Sequence, residues 1–349
     1  MRVLFYLHHP AHFYLFKNVI GNLKKKGHEV LIVATKKDVL EDLLRSEGFD
    51  YKNYLPKGRK DNKFSIAMGL LEQDMKLFID CIKKRPDLLI GTSTEICHVG
   101  FVLRIPNIFV NEDDTEVVPL VGKIAHPFAK YLLAPDVCHT GSPGNTISYK
   151  GYHELSYLHP DVFTPDKEIV KKYLNPDIPY FIMRFAKLTA HHDVGIKGIN
   201  HEIAARLLQM MRPYGNVYIT SERELEPEFE QYRLNIKPID MHHILAFSDL
   251  FIGDSQTMSA ESGVLGIPFI RFNGFVGRIG YLRDLEDNYH LGYGVRPENE
   301  EQLYLTLDSL LKNKNKKEEW AVKKEKMLSE KINVSEFITD LIEKKGIST

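Results

Sequence analysis

The chain has 349 residues, of which 43% are hydrophobic and 27% are charged. This length exceeds what one hydrophobic core usually organises, so we expect two domains. The formal net charge of -1 offers no global attraction for nucleic acid, which we therefore exclude as an expected partner. No apolar run is long enough for a secretory signal or a membrane span, which favours a cytoplasmic protein. Three dispersed cysteines without a CxxC pair fit a reducing compartment and indicate no zinc site.

The first half of the chain alternates strand-like and helix-like segments, the order that builds a parallel sheet. A continuous apolar run at Arg2–Leu7 is typical of a strand covered on both faces. The pattern then predicts a helix over 13–26, a strand over 30–34, a second helix and a short strand near residue 51. It continues with a helix over 65–84, strands over 87–90 and 105–110, and a broken helix with a final strand over 117–134.

A second alternating series follows an aperiodic connection over 149–179. It predicts strands over 180–184, 216–220, 250–252 and 268–272, helices over 202–211, 242–247 and 259–265, and two final helices after residue 298. We therefore expect an N-terminal Rossmann-like domain over 1–165, a C-terminal one over 166–330, and a C-terminal helix within 331–349 that packs back on the first domain.

The segment over 250–271 holds the most informative polar residues. A buried strand ends there, and a helix begins within the turn formed by Asp254, Ser255, Gln256 and Thr257. Free backbone N–H groups at a helix N-terminus bind phosphates well. Glu261, one and a half turns further on, could accept hydrogen bonds from ribose hydroxyls. The alternative is a capped structural helix with Glu261 in solvent.

Residues 254–268 resemble, without a gap, the C-terminal nucleotide-binding signature of bacterial UDP-N-acetylglucosamine 2-epimerases and related GT-B glycosyltransferases. The positions that coincide with the signature are Asp254, Ser255, Glu261, Leu265, Gly266 and Pro268. Gln256 and Thr257 replace two glycines, and Ala260 replaces a glutamate. The resemblance implies that Ser255 and nearby amides hold a diphosphate while Glu261 holds the ribose.

The whole chain resembles a family of uncharacterised bacterial and archaeal GT-B proteins. Members of this family are described either as a domain of unknown function or as predicted glycosyltransferases. The marks of this family are Pro10-Ala11-His12-Phe13 with Phe16-Lys17, Gly27-His28-Glu29-Val30, and Arg184 followed by Ala190-His191. The resemblance implies an α/β fold of the GT-B type, with two doubly wound Rossmann-like domains that face each other across a cleft.

The loop after the first strand contains three histidines, His8, His9 and His12. A histidine can deprotonate an attacking hydroxyl near neutral pH, so we predict His12 as the general base, with His9 as the second candidate. The alternative is that one of these rings caps the following helix or fills the core.

The loops after the first two strands of the second half supply further candidates. Arg184 would stabilise a departing nucleoside diphosphate without a metal, with His191 beside it; the alternative for Arg184 is a structural salt bridge. Thr220 and Ser221 could contact the base or the ribose.

Two acidic loops follow strands of the first half. In the 2-epimerases the first of these loops carries a catalytic aspartate, and Thr92 or Ser93 stands in its place here. The second carries a glutamate, and Asn111 has that spacing, with Glu112 one residue later. Glu112 could bind sugar hydroxyls or ligate a divalent ion, whereas Asp113 and Asp114 are expected in a solvated loop.

We accordingly expect an enzyme, a metal-independent glycosyltransferase that moves a sugar from a nucleoside diphosphate, UDP in the first instance, to a glycan or lipid-linked acceptor in cell-surface polysaccharide synthesis. No cofactor is expected, and Mg²⁺ is compatible but not required. The alternatives are a UDP-sugar 2-epimerase or hydrolase and a nucleotide-sugar-binding protein without turnover. Apolar residues at 13–16 and 117–133 suggest peripheral contact with the inner face of a membrane, or else core packing. The sequence leaves the oligomeric state open.

Overall fold

A computed structural model describes residues 1–35, 39–55, 63–141, 144–186 and 198–347, with the backbone alone for 63–67 and 346–347. The chain divides into two compact units. The first unit comprises Met1–Val162 together with the chain from Ile332 onward, and the second comprises Phe163–Lys331.

The first unit is built on a seven-stranded sheet in which every pairing is parallel. Its strands are β1 (Arg2–Leu7), β2 (Glu29–Ala34), β3 (Lys52–Asn53), β4 (Leu88–Gly91), β5 (Asn107–Val110), β6 (Tyr131–Pro135) and β7 (Thr146–Tyr149). The helices between them are α1 (Pro10–Lys25), α2 (Leu40–Ser46), α3 (Lys63–Lys84), α4 (Thr94–Leu103) and α5 (Pro119–Ile124). The strand order β3-β2-β1-β4-β5-β6-β7 places the topological switch between β1 and β4.

The second unit repeats this plan with five parallel strands. They are β8 (Tyr180–Phe185), β9 (Asn216–Ser221), β10 (Leu250–Gly253), β11 (Phe269–Phe272) and β12 (Gly292–Val295). The α-helices of this unit are α6 (Lys167–Val170), α7 (His201–Met211), α8 (Met241–Ala246), α9 (Gln256–Leu265), α10 (Gly280–Arg283), α11 (Glu300–Lys312) and α12 (Lys316–Glu330). The order β12-β11-β10-β8-β9 puts the switch between β8 and β10.

A glycine ends the strand on one side of each switch. A Cβ atom on Gly91 of β4 would lie 2.7 Å from the carbonyl oxygen of Tyr6, and one on Gly253 of β10 would lie 2.8 Å from that of Arg184. Such distances are shorter than side chains tolerate, so both glycines permit close pairing with the first strand of their unit. In both sheets, a glycine at the end of a strand beside the switch thus allows close strand pairing.

Several elements depart from the sequence-based predictions, among them α4, which begins in the loop expected after β4 and was not predicted. β7 and β12 were not predicted, because β7 is a short strand at the sheet edge and two of the four residues of β12 are glycines. Three helices follow residue 298 instead of the two expected. The third, α13 (Val334–Ile347), belongs to the first unit, where it packs against α1.

The apolar segment Phe13–Phe16 lies in the core, since all four of its side chains are buried in the first unit. This packing removes the membrane contact suggested for these residues. Across the described ranges, no helix is both long and apolar enough to cross a membrane.

Candidate functional site

The histidine loop lies at the carboxyl ends of β1 and β4, beside the switch of the first unit. His9 is the N-cap of α1, and its Nδ1 accepts a hydrogen bond from the Ala11 amide at 3.2 Å. His9 therefore caps α1, which is the alternative considered for these rings. The His8 ring lies edge-on to that of His12, with centroids 4.3 Å apart, and Ser93 Oγ is 3.1 Å from His8 Nδ1.

The His12 ring is held against the loop that follows β4. Thr92 Oγ1 lies 2.8 Å from its Nε2 and 2.9 Å from its Nδ1, and the His8 amide donates to Nδ1 at 3.3 Å. A neutral ring that accepts at Nδ1 carries its proton on Nε2, where it can donate to the Thr92 hydroxyl. The structure thus brings together His12 and Thr92, the residue that stands where the epimerases carry an aspartate.

A second polar cluster follows β5 and β7. Glu112 Oε2 lies 3.0 Å from Nδ1 of His153, and both side chains are largely shielded from solvent. Burial, with the Glu112 charge as the next contribution, raises the pKa of the neighbouring Asp113 to about 7. Asp113 and Asp114 are partly buried, so the solvated loop expected for them is not what the structure shows. His153 was not predicted, because the strand before it was not recognised.

In the second unit, α9 begins directly after β10. Ser255 is its N-cap, with Oγ accepting the Met258 amide at 3.4 Å. Ser255, Gln256 and Thr257 are all partly exposed. The first turn of an α-helix presents N–H groups that lack intrahelical partners, and the helix dipole adds a partial positive charge there. This terminus therefore has the chemistry that accommodates a phosphate.

Asp254 supports this turn from inside the fold. Its carboxylate accepts hydrogen bonds from the amides of Ala186, at 2.6 Å, and Ile199, at 3.2 Å, which lie on either side of residues 187–197. Burial outweighs these bonds and raises the pKa of Asp254 to about 6. The structure therefore gives Asp254 a bracing role. His191, predicted beside the diphosphate, lies outside the described residues.

Glu261 is buried, so the alternative that places it in solvent is wrong. It lies on α9 and faces α8, where His242 Nε2 is 2.9 Å from Glu261 Oε1. Each of the two side chains is 6% exposed. His242 was not predicted; the only signal is its position in a short helix immediately before β10. The pair fixes the carboxylate one and a half turns into the helix that Ser255 caps.

The remaining predicted residues lie at the carboxyl ends of β8 and β9. Arg184 forms a salt bridge with Glu222, at 2.5 Å between Nη2 and Oε1, which is the structural alternative considered for it. Its Nε is buried and has no hydrogen-bond partner among the residues that the structure describes. The Ser221 hydroxyl donates to the carbonyl oxygen of Arg223 at 2.7 Å, and Thr220 is buried. The Ser221 hydroxyl thus bonds within its own turn, whereas Thr220 Oγ1 lies 3.5 Å from the Met183 carbonyl oxygen of β8.

A buried ionic network beneath the α9 turn was missed by the sequence reasoning. Arg271 of β11 is fully buried and binds Glu286 through two bonds, of 2.8 and 3.0 Å. Asn273 lies 3.4 Å from Arg271 and donates to the Asp254 carbonyl at 2.9 Å. The signal in the sequence is an arginine inside an otherwise apolar strand, Phe269–Phe272. The network connects β11 to the chain at the start of α9.

Two units, each with a doubly wound parallel sheet and polar residues gathered at its switch, place the chain among the Rossmann-like α/β proteins. The comparisons with known proteins agree with this class. Residues 1–275 match the model of the family described as "Protein of unknown function (DUF354)", and the chain belongs to that family.

Relatives and solved structures extend the comparison. An uncharacterised protein of Methanocaldococcus jannaschii is 28% identical over 282 residues, covering 76% of this chain and 79% of that protein. The Staphylococcus aureus MnaA–UDP structure covers 99% of this chain and 96% of its own, with a TM-score of 0.70 and 13% identity. The structure of the spinosyn rhamnosyltransferase SpnG, complexed with spinosyn aglycone, covers 98% of this chain and 100% of its own, with a TM-score of 0.63 and 15% identity.

The same fold is found in the UDP-GlcNAc 2-epimerase of Neisseria meningitidis bound to UDP-GlcNAc. It covers 99% of this chain and 100% of its own, with a TM-score of 0.64 and 14% identity. These similarities confirm the predicted GT-B fold of two Rossmann-like domains. Among the described residues, no group of three or more His, Cys, Asp or Glu side chains could hold a metal ion.

Proposed function

We propose that the protein is a glycosyltransferase that takes a sugar from a nucleoside diphosphate, UDP in the first instance, and transfers it to a hydroxyl of a glycan or lipid-linked acceptor. The observation that carries the donor part is the start of α9. A capped helix N-terminus lies there at the carboxyl end of the switch strand β10, with Ser255, Gln256 and Thr257 partly exposed. This is the position where doubly wound sheets bind nucleotides.

In this proposal the second unit binds the donor. The amides of the first turn of α9 and the Ser255 hydroxyl hold the diphosphate, and Glu261, oriented by His242, accepts from the ribose. When the diphosphate binds, the Arg184 guanidinium turns from Glu222 toward it or bonds to both. The guanidinium then stabilises the negative charge of the departing nucleoside diphosphate. The names of similar structures, which include complexes with UDP and UDP-GlcNAc, support a nucleotide of this kind.

The first unit supplies the base in this proposal. Nδ1 of His12, the unprotonated nitrogen of the neutral ring, exchanges its 3.3 Å hydrogen bond from the His8 amide for the proton of the acceptor hydroxyl. The acceptor oxygen then attacks the anomeric carbon, and the bond to the diphosphate breaks. The proton ends on the imidazole, and the negative charge ends on the nucleoside diphosphate.

A UDP-sugar 2-epimerase is the second candidate, favoured by the cluster around Glu112. An epimerase needs a group that removes and returns a proton near neutral pH. Asp113, with its pKa raised to about 7 by burial, offers this chemistry, and the Glu112–His153 pair lies beside it. Several solved structures of similar fold are UDP-GlcNAc 2-epimerases by name.

The first experiment is calorimetry and thermal shift with UDP, GDP, CDP, TDP and their sugars, each with and without Mg²⁺. We expect one nucleotide to stabilise the protein saturably and Glu261→Gln to weaken its binding at least about tenfold, because a neutral amide accepts more weakly from the ribose. Glu228→Gln is the matched control, since Glu228 also pairs with a histidine, His201, but at the surface. Failure of every nucleotide to bind would contradict the proposal.

Product analysis separates the two candidate reactions. A transferase retains the donor sugar until an acceptor is added, and His12→Asn then lowers kcat with little effect on donor binding. An epimerase changes the C2 configuration, or releases sugar, without an acceptor. In that case Asp113→Asn or Glu112→Gln abolishes turnover, and the transferase assignment is wrong.

A further inference from the structure

Five apolar side chains form a stripe along the solvent face of α3. Their exposed fractions are 50, 61, 60, 42 and 52% for Met68, Leu71, Met75, Ile79 and Ile82. Spacings of three and four residues place them on one face of the helix. The opposite face is anchored in the first unit by Leu77 and Cys81, which are buried. Monomeric soluble proteins rarely expose so continuous an apolar surface.

The neighbouring helix α4 extends this surface. Phe101 and Val102, at the end of α4, are also largely exposed, and the Phe101 ring stacks edge-on against Phe128 with centroids 5.3 Å apart. α3 and α4 pack together, and each presents exposed apolar side chains to the surface. A face of this composition resembles the core of an interface more than a rim.

The α3 stripe is symmetric about Met75. Leu71 and Ile79 lie four residues before and after it, and Met68 and Ile82 lie seven before and after it. Two antiparallel copies of α3 related by a twofold axis at Met75 would therefore place Met75 against its own copy. Leu71 would face Ile79 of the second copy, and Met68 would face Ile82. A twofold interface requires this kind of self-complementarity.

The charges beside the stripe fit the same arrangement. Glu72 and Lys76 flank it on one side and form an ion pair at 2.6 Å. In the antiparallel pair each Glu72 also comes within about one helical turn of Lys76 of the other copy. The exposed stripe itself consists of apolar side chains, and the ion pair beside it becomes self-complementary in the twofold arrangement, which favours a second copy of the chain as the occupant.

We propose that this face of α3 pairs with α3 of a second copy of the chain, giving a twofold-symmetric dimer. Sedimentation equilibrium of the full chain tests the pairing. The wild type is expected at twice the chain mass, and Met75→Glu is expected to weaken the association at least about 100-fold, because two unpaired carboxylates would meet at the axis. Val322→Glu, at an exposed apolar residue of the second unit, is the matched control and should leave the dimer intact.

Cysteine cross-linking tests the register. Met75→Cys alone should form a disulfide-linked dimer under mild oxidation, whereas Met68→Cys should do so only when combined with Ile82→Cys. The wild type, whose cysteines are buried or partly buried, gives the background. A monomeric wild type, a dimer unchanged by Met75→Glu, or cross-linking by Met68→Cys alone would overturn the proposal. Flotation of a monomer with phosphatidylglycerol vesicles that depends on Met75 would overturn it as well.

Discussion

At the scale of single residues, the second unit contains several buried ionisable side chains around the N-terminus of α9. Fully buried Arg271 pairs with the largely buried Glu286, and Glu261 and His242 form a second buried pair. Desolvation makes such pairs expensive, and their net contribution to stability is small or negative compared with apolar replacements. Their value lies in orientation, because each pair fixes a side chain that would otherwise have no defined position.

Removal of one partner from the Arg271–Glu286 pair should therefore cost more than removal of both. We expect Arg271→Met to lower the free energy of unfolding by about 3–5 kcal/mol, because Glu286 is left charged and buried. The double variant Arg271→Met/Glu286→Leu should recover most of this loss. Urea unfolding of the two variants and the wild type measures the difference. Equal destabilisation by the single and double variants would contradict the argument.

The raised pKa of Asp113 makes a prediction about pH. Its pKa is about 7 in the folded protein and near 3.8 in the unfolded chain, so the folded state holds the proton over that interval. Folding is then favoured by protonation, and stability falls as the pH rises from about 4 to about 7, by up to about 4 kcal/mol from this residue. Asp113→Asn should remove this part of the pH dependence.

Urea midpoints at pH 4.5 and 7.5 provide the measurement. Asp113→Asn should gain stability relative to the wild type at the higher pH and little at the lower one. Asp50→Asn, at an exposed aspartate of the same unit, is the control. The same gain at both pH values would show that desolvation of the charged carboxylate is not its cause.

At the scale of elements, the sequence predicts those parts of the fold whose residues carry one strong local pattern. β1, β8 and β10 are continuous apolar runs, and such runs are typical of strands covered on both faces. β12 has no such pattern, because Gly292 and Gly294 are required by close packing: added Cβ atoms would lie 2.3 Å from Phe269 and 2.6 Å from Glu286. Tertiary contacts decide that strand, and no single sequence displays them.

The switch glycine Gly253 offers a prediction at this scale. Gly253→Ala places a methyl group 2.8 Å from the Arg184 carbonyl oxygen, so β10 and β8 must separate. We expect a loss of about 1–3 kcal/mol and weaker nucleotide binding at the adjacent α9 turn. Gly21→Ala is the contrasting variant, since nothing lies within 4 Å of the added methyl group in α1. It should stabilise the helix by about 0.5–1 kcal/mol. Thermal unfolding should show a lower melting temperature for Gly253→Ala and a higher one for Gly21→Ala than for the wild type.

At the scale of the whole molecule, the alternation of strands and helices was sufficient to predict two Rossmann-like halves. The candidate site was less predictable. The sequence indicates which residues lie in the loops at the strand ends, but it does not indicate which side chains bond to each other. Ser255 was assigned to a helix start from local residues, whereas the His242–Glu261 pair joins residues of two different helices. Contacts of this kind depend on how α8 packs on α9, which composition and periodicity do not specify.

The chain also returns to its first unit at the end, and this return can be tested. α13 packs against α1, and Glu343 pairs with Lys26 and His28. Ile338 and Ile342 of α13 are fully buried there. Ile338→Ala should cost the first unit about 2–5 kcal/mol, the usual range for such a truncation in a core.

Hydrogen exchange resolved by peptide locates this loss. Peptides from β1 and β2 should lose protection in Ile338→Ala, whereas those from β10 and β11 should keep it, because α13 belongs to the first unit although it follows the second in the chain. Val322→Ala, at an exposed position of α12, is the control and should change neither set. Equal loss of protection in both sets would mean that the two units unfold as one cooperative body, and the separate treatment of their stabilities would then be wrong.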